Sequence, residues 1–334
     1  MKPLVSILIP AYNAQPWITA TLDSAVGQSW PNREVIVVDD GSSDATVEVA
    51  RSYESRGVRV LQQKNAGAAA ARNLALANAR GEYIQYLDAD DLLSAEKIET
   101  QVELLEASAP GMLTICPNTY FNDGSDPKQG LDRSGWPFVA TDAPRQWLLD
   151  MWGANDRFGL VPLGSYLVSR GLADKAGPWD ASVRSPMDDG EYFVRVVLAS
   201  IGIRPSSGRY FYRKFPASGS YSSTRRPELF WGRLHSIDSV ARLLLAGGDD
   251  AVTRRAMANS YLVLAFIAYP QYPDVTEKAL EQVREMGGTD WAPSFGTWRG
   301  NLLKRLIGWK ATKRLNESYH RCRQQIRKSA AGVP

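Results

Sequence analysis

The first ninety positions alternate between short aliphatic runs and stretches in which apolar residues recur every three or four places. Leu4 to Ile9, Glu34 to Val38, Val58 to Leu61 and Tyr83 to Leu87 are rich in Val, Ile, Leu and Tyr and predict strands. Between them Ile18, Leu22, Ala25 and Val26 fall at helical spacing, and Ser43 or Asp44 can cap a second helix carrying Val47, Ala50 and Tyr53. A third helix is predicted from about Ala68 to Ala79, stopped by Gly81. Strand and helix in this order require right-handed crossovers, which specify a largely parallel sheet covered by helices. After about Pro227 only the helical period remains, in Leu234 to Leu245, Met257 to Ala268 and Val275 to Met286. Gly247-Gly248, Pro270 to Pro273 and Gly287-Gly288 separate these helices, so an appended helical region is expected over 227–334.

The fourth predicted strand ends abruptly in Asp88, Asp90 and Asp91. Open α/β sheets bind ligands at the carboxyl ends of their strands, so these charges stand where a ligand is expected. If the extended geometry persists into the loop, Asp88 and Asp90 point to the same side. Such oxygen ligands suit Mg²⁺ or Mn²⁺, which complete their shells with water and substrate phosphate. The plainer reading is a solvated loop with a helix cap.

A chain of 334 residues exceeds one ordinary core, so two domains, or one with a large appendage, are expected. With 44% hydrophobic and 22% charged residues it is a globular composition, which excludes wholesale disorder. Only Cys116 and Cys322 are present, and Met1-Lys2-Pro3 leads directly into a strand, so a leader peptide is not expected and a reducing, cytoplasmic location is. The longest apolar run, Tyr261 to Pro270, falls far short of the roughly 20 residues that cross a bilayer.

Charge alters the picture at the far end. From residue 296 to 334 ten basic residues face one acid, Glu317, whereas the whole chain carries only +3. Trp298, Leu302, Leu306 and Trp309, then Leu315, Tyr319, Cys322 and Ile326, recur at helical spacing through that stretch. A basic amphipathic helix of this kind suits the inner, anionic face of a membrane; the alternative is a packed helix with a solvated basic face.

Several turns carry candidate chemistry. Pro10-Ala11-Tyr12-Asn13 leaves the first strand at its carboxyl end, where the Tyr12 ring can lie against a nucleobase. In the next turn Asp40 has two acceptor oxygens for a ring N–H, which uracil or thymine offers and adenine lacks. Arg72, early in the third helix, is placed to pair with phosphate or a ribose-side carboxylate. Neither a G-x-G-x-x-G nor a G-x-x-x-x-G-K-[ST] pattern is present in the Ala68 to Ala71 region, so a dinucleotide fold and a P-loop are unsupported. The plainer readings are a ring packed over the sheet edge, turn-forming aspartates and an exposed helical arginine.

Five strings occur in order: Val5-Ser6-Ile7-Leu8-Ile9-Pro10-Ala11-Tyr12-Asn13, Val37-Val38-Asp39-Asp40-Gly41-Ser42-Ser43-Asp44, Asn65-Ala66-Gly67 with Ala71-Arg72-Asn73, Leu87-Asp88-Ala89-Asp90-Asp91, and Met187-Asp188-Asp189 before a helix. Together they resemble family 2 glycosyltransferases, strongly over residues 1 to about 110, moderately to about 220, and not beyond. The resemblance implies an inverting enzyme of the GT-A fold, an α/β type with a mostly parallel Rossmann-like sheet, over 1–226. It implies nucleotide-sugar binding within 1–110 and the acceptor side within 111–226. Pro10, Tyr12, Asp40, Arg72, Asp88, Ala89 and Asp90 are then expected at the donor, a UDP-sugar. Asp90 would be the direct ligand of Mn²⁺ or Mg²⁺, and Asp88 would face the ribose or a metal-bound water. Asp91 would support the turn into a helix beginning near Ser94.

By the same resemblance Asp189 is the catalytic base, although Asp188 stands where the family usually has Glu; Asp188 as a helix cap is the plainer reading. Trp136, Trp152 and Trp179 are candidates for stacking on sugar rings. Tyr210 to Lys214 with Ser218-Gly219-Ser220 resembles a closing segment near the donor phosphates, able to act as a flap. No histidine lies in that segment, so none is expected on the metal. The acceptor is expected to be a hydroxyl of a polysaccharide, glycolipid or lipid-linked glycan, and no nucleic-acid partner is expected. The helical region could bind acceptor, form a homodimer or support the basic tail. Two other readings stand beside this one. A nucleotidyltransferase acting on a sugar phosphate would also place a metal on paired carboxylates, and a carbohydrate-binding or membrane scaffold protein would keep the fold without turnover.

Overall fold

The computed structural model describes residues 2–182, 184–215 and 226–330, with side chains to 318. The expected Ser218-Gly219-Ser220 flap lies outside them, as do the side chains of Tyr319, Cys322 and Ile326. In chain order the elements are β1 (Val5–Ala11), α1 (Ile18–Val26), β2 (Arg33–Asp39), α2 (Thr46–Arg51), β3 (Val58–Gln62), α3 (Ala68–Asn78), β4 (Tyr83–Tyr86), β5 (Leu92–Leu93) and α4 (Lys97–Glu106). There follow β6 (Met112–Ile115), β7 (Asn118–Asn122), β8 (Leu131–Arg133), α5 (Pro144–Met151), β9 (Tyr166–Ser169), α6 (Arg170–Ala176), α7 (Asp188–Ala199), β10 (Gly202–Pro205) and β11 (Tyr210–Lys214). The helices α8 (Pro227–Ala246), α9 (Ala251–Ala268), α10 (Pro273–Glu285) and α11 (Trp298–Ala330) complete the described chain.

The main sheet has the order β10-β6-β9-β4-β1-β2-β3. The neighbours β4, β1, β2 and β3 run parallel, and β9 runs antiparallel between β4 and β6. Both faces of the parallel part are covered, which is why these strands read as unbroken aliphatic runs instead of alternating ones. Leu8, Ile36 and Val38 face one core, and Ile7, Ile9, Val35 and Val37 face the other. A smaller sheet, β5-β11-β7-β8, lies beside the exit of β4.

Strand order reverses at β1, with β2 and β3 on one side and β4 on the other, so a crevice opens between the carboxyl ends of β1 and β4. Pairing of β1 with β4 stops at Leu8 and Tyr86, whereas pairing with β2 continues to Ala11. Pro10, which has no N–H to give, therefore sits where the two strands have parted. The candidate donor residues leave the sheet around this opening.

The helices after residue 226 do not enclose a separate core. Phe230, Leu234, Ile237, Met257, Tyr261, Ala265 and Val275 join one apolar cluster with Leu8, Tyr86, Trp179 and Phe193. The tail departs from expectation in one respect. Gly308 adopts φ 77° and interrupts α11, turning the chain so that Trp309 packs on Phe266 and Tyr269 while Trp298, Leu302, Leu306 and Ile307 remain exposed. The predicted single stripe is thus split. Lys304, Lys310 and Lys313 bind Pro293, Glu277 and Phe266 and are not part of a free basic face. No helix among the described residues is long and apolar enough to cross a membrane.

Candidate active site

Two acidic turns meet across the crevice, one following β4 and one opening α7, and Arg72 of α3 joins them. Its Nη2 donates to Asp88 Oδ1 at 3.0 Å and its Nη1 to Asp188 Oδ2 at 2.9 Å. The guanidinium lies 4.5 Å over the Trp179 ring and is only 4% exposed. Burial works against its charge, but Asp188 and Asp88 hold it firmly protonated. Of the two expected partners, a phosphate or a ribose-side carboxylate, the structure shows the carboxylate, Asp88, together with Asp188. Arg72 is the internal counter-ion that lets two carboxylates stand close together, and its remaining Nε is buried without a partner.

The remaining carboxylate in each turn has no such cation. Burial, followed by the charge of Asp88, pushes Asp90 up to about 7. Asp189 is likewise pushed up to about 7 by burial and then by Asp188. Asp189 sits in the first turn of α7, where its Oδ1 accepts from the Gly190 N–H at 2.8 Å. That contact fixes its rotamer and leaves Oδ2 for a proton. The helix that carries it is locked by Phe193, Val196 and Val197, all buried.

Asp91 is structural. It is 2% exposed and accepts from Tyr210 Oη and from the Arg213 N–H at 2.6 Å, pinning the turn to β11. The Arg213 Nε donates to the Asp90 carbonyl at 2.6 Å, and its Nη1 pairs with Asp123 at 3.0 Å. The Tyr210 to Lys214 run therefore supports the acidic turn from behind, a role that the sequence placed nearby without specifying. The helix after the turn begins at Lys97 and not near Ser94. Ser94 accepts from the Arg209 N–H instead.

On the other side of the crevice Tyr12 is 54% exposed, immediately after β1, with Asn13 at φ 48° directing the chain away. Its ring is free to receive a base. Asp40 is more committed than expected. Its Oδ1 accepts from Gln63 Nε2 and the Ala66 N–H, both at 2.7 Å, and its Oδ2 from the Gly67 N–H at 2.8 Å. Three of roughly four lone-pair positions are filled, so the carboxylate first fastens the 63–67 loop and leaves one acceptor position. Asp39 binds the Gly41 and Ser42 N–H groups, as a turn former would. Pro10 is buried in β1, and the Ala89 carbonyl accepts from Thr21 Oγ1 at 2.9 Å. Both shape the opening and do not project into it.

The three tryptophans separate clearly. Trp179 is 2% exposed, stacked 4.0 Å from Tyr192 beneath Arg72, which corrects its assignment as a sugar platform. Trp152 is half-buried, and its ring lies 3.7 Å from where a Cβ on Gly190 would stand, beside the candidate base. Trp136 is exposed at the rim of a cleft farther out.

The residues present fit a divalent cation. Asp90 is a hard oxygen donor, half-buried, raised towards neutrality and without a cationic side chain bonded to its carboxylate. No group of three or more His, Cys, Asp or Glu among the described residues is arranged to hold a metal. Asp88 and Asp90 thus offer part of a shell that substrate oxygens and water would complete, which is how Mg²⁺ and Mn²⁺ are usually held.

Residues 6–155 match the sequence model described as Glycosyl transferase family 2. Over 107 residues the chain is 44% identical to a Bacillus subtilis (strain 168) protein named as the teichuronic acid biosynthesis glycosyltransferase TuaG; the match spans 31% of this chain and 42% of that one. It is 28% identical over 269 residues to the glycosyltransferase GlyG of Streptococcus pneumoniae serotype 4, covering 78% of this chain and 87% of that one. Residues 1–349 of S. aureus TarS, solved in complex with UDP-GlcNAc, superpose with a TM-score of 0.53 at 18% identity, covering 87% of this chain and 93% of that one. The architecture is therefore the GT-A fold. The matched stretch spans less than half the length of TuaG.

Proposed function

We propose, from the match of residues 6–155 to glycosyl transferase family 2, that the chain transfers a sugar with inversion from a nucleoside-diphosphate donor to a glycan hydroxyl. The observation that supports this best is the pair of carboxylates Asp90 and Asp189, neither bonded to a cationic side chain, whose neighbours Asp88 and Asp188 are joined by one guanidinium, Arg72. One suits a cation and the other a proton.

The Tyr12 ring receives the base, and the last acceptor position of Asp40 reads a ring N–H, which favours UDP. Asp90, with Asp88 behind it, would hold Mn²⁺ or Mg²⁺. Such an ion, when bound, supplies Lewis-acid stabilisation to the departing diphosphate. Asp189 takes the proton of the acceptor hydroxyl as that oxygen attacks the anomeric carbon; a base near 7 is well matched to that task. Arg72 and Asp188 keep the base beside the donor without touching it. A single displacement of this kind requires no covalent intermediate.

The acceptor is expected on a surface. Trp298, Leu302, Leu306 and Ile307 face outward beside Arg299 and Arg305, and Trp309 anchors the segment to the body. This arrangement suits peripheral attachment to an anionic membrane, where a glycolipid or lipid-linked acceptor would be presented. The transfer reading is tested by incubating the protein with Mn²⁺ and a panel of nucleotide sugars. Release of nucleoside diphosphate supports it; release of pyrophosphate from a nucleoside triphosphate would instead identify a nucleotidyltransferase, and donor binding without turnover a scaffold.

A further inference from the structure

A cleft of about 350 Å³ is lined by Trp136, Asp150, Asn155 and Arg157. Its chemistry is unsatisfied. Arg157 is exposed and makes no hydrogen bond or ion pair among the described residues. Asp150 accepts through Oδ1 from Gln146 and Asn155, leaving Oδ2 without a protein donor. The Trp136 indole is 38% exposed, and no described residue accepts from its N–H. A flat ring with planar polar groups at its edge suits a pyranose, which has an apolar face and a rim of hydroxyls.

The cleft is held rigidly and in register with the base. The turn 150–159 borders both: Trp152 lies against Gly190, next to Asp189, and the Gly159 backbone packs under Trp136, where a Cβ would come within 2.9 Å of the indole. Helix α9 fixes the turn through Asn259 to the Gly153 carbonyl at 2.8 Å, Ser260 to the Trp152 carbonyl at 2.8 Å and Arg255 to Asp156 at 2.9 Å. Phe158, half-covered by Trp291 at 5.3 Å, continues the surface between the two tryptophans. A rigid, open polar cleft joined to the candidate base through the 150–159 turn points to the acceptor and not to the donor, whose candidate residues leave the sheet at β1, β2 and β4.

We propose that this cleft binds a pyranose ring of the acceptor glycan at least one sugar away from the reacting hydroxyl, stacked on Trp136 and hydrogen-bonded by Arg157, Asp150 and Asn155. This rests on the transferase reading, which makes residues 150–159 the acceptor wall. The site extends recognition beyond the sugar that reacts, so chain length of the acceptor controls affinity.

The test is saturation-transfer NMR and calorimetry on the full chain with chitotetraose, cellotetraose, maltotetraose and a tetragalacturonate, alongside UDP with Mn²⁺. At least one tetrasaccharide is expected to bind, with affinity lowered about tenfold in Trp136→Ala and Arg157→Gln and largely kept in Trp136→Phe. A preference for the uronate would assign Arg157 to a sugar carboxylate, and a preference for a neutral chain to hydroxyls. Failure of every probe to bind, or equal binding by wild type and Trp136→Ala, overturns the proposal. Loss of UDP binding by the wild type would instead strike the transferase reading, since Trp136 and Arg157 lie outside the donor side. Arg157 is exposed, so its variant separates recognition from folding.

Discussion

The turn after β4 and the start of α7 are both rich in carboxylates and differ in their surroundings. Each supplies one carboxylate to Arg72, Asp88 from the first and Asp188 from the second, and each keeps another without a cation. Around Asp90 the backbone is an open turn braced by Arg213, so the carboxylate can join other oxygens on an ion. Asp189 sits on a helix whose Gly190 N–H holds one of its oxygens, so it can move a proton but is less able to reorient around a metal. On the proposed reading, similar carboxylates would serve as a cation ligand in one place and as a base in the other because the backbone differs.

The largest expected break in that symmetry is chemical. Asp189→Asn should lower transfer by about 10²- to 10⁴-fold while UDP and Mn²⁺ still bind, whereas Asp90→Ala should abolish the metal dependence of donor binding. Transfer assays paired with calorimetry distinguish the two; equal loss of binding in both would erase the distinction. Arg72→Met should cost about 3–5 kcal/mol of stability, because it strands Asp88 and Asp188 side by side, and denaturant unfolding would read it. A smaller loss, about 2–4 kcal/mol, is expected from Asp40→Ala, which frees the 63–67 loop; a variant that lost nucleotide binding at full stability would restore Asp40 to a purely ligand-binding role.

Titration sharpens the comparison further. Both Asp90 and Asp189 are raised above the ordinary carboxylate value, so the folded protein binds protons that the unfolded chain releases. Their contribution to stability is present below about pH 4 and is lost as pH rises through about 7. Without metal, the thermal midpoint should therefore fall by a few degrees between pH 6 and pH 8, and Mn²⁺ should offset the part due to Asp90. Activity runs the opposite way, because Asp189 must lose its proton, and kcat/KM should drop about tenfold per unit below pH 7. The smallest effect is expected far from the site. Replacing Trp298, Leu302 and Leu306 by Ser should lower partition onto anionic liposomes about tenfold with transfer to a soluble acceptor preserved; unchanged sedimentation with vesicles would remove the membrane role.

The donor half of the molecule was legible because its strands are buried on both faces and its motifs sit at strand ends, where spacing fixes position. The four N-terminal strands and the helix at Asp188 lie where periodicity placed them. Arg72 was legible as a site residue able to meet a carboxylate, but not as the ion shared by two, since its partners are 16 and 116 residues away and only folding brings them to one guanidinium. Trp179 illustrates a similar gap, because a loop tryptophan carries no period that distinguishes a buried ring from an open one. In the tail, the helical period of the apolar residues continues through Gly308, so nothing in spacing alone revealed that Trp309 turns inward. Asp40 was visible as a strand-end carboxylate, while the loop that wraps onto it was not.

The account depends on an ion bound by the acidic turn, and a crystal of the protein grown with Mn²⁺ and UDP tests it most directly. Anomalous density bonded to an Asp90 oxygen at about 2.2 Å and to the diphosphate is the predicted result. An Asp90 carboxylate directed to solvent, with the manganese elsewhere or absent, would contradict it.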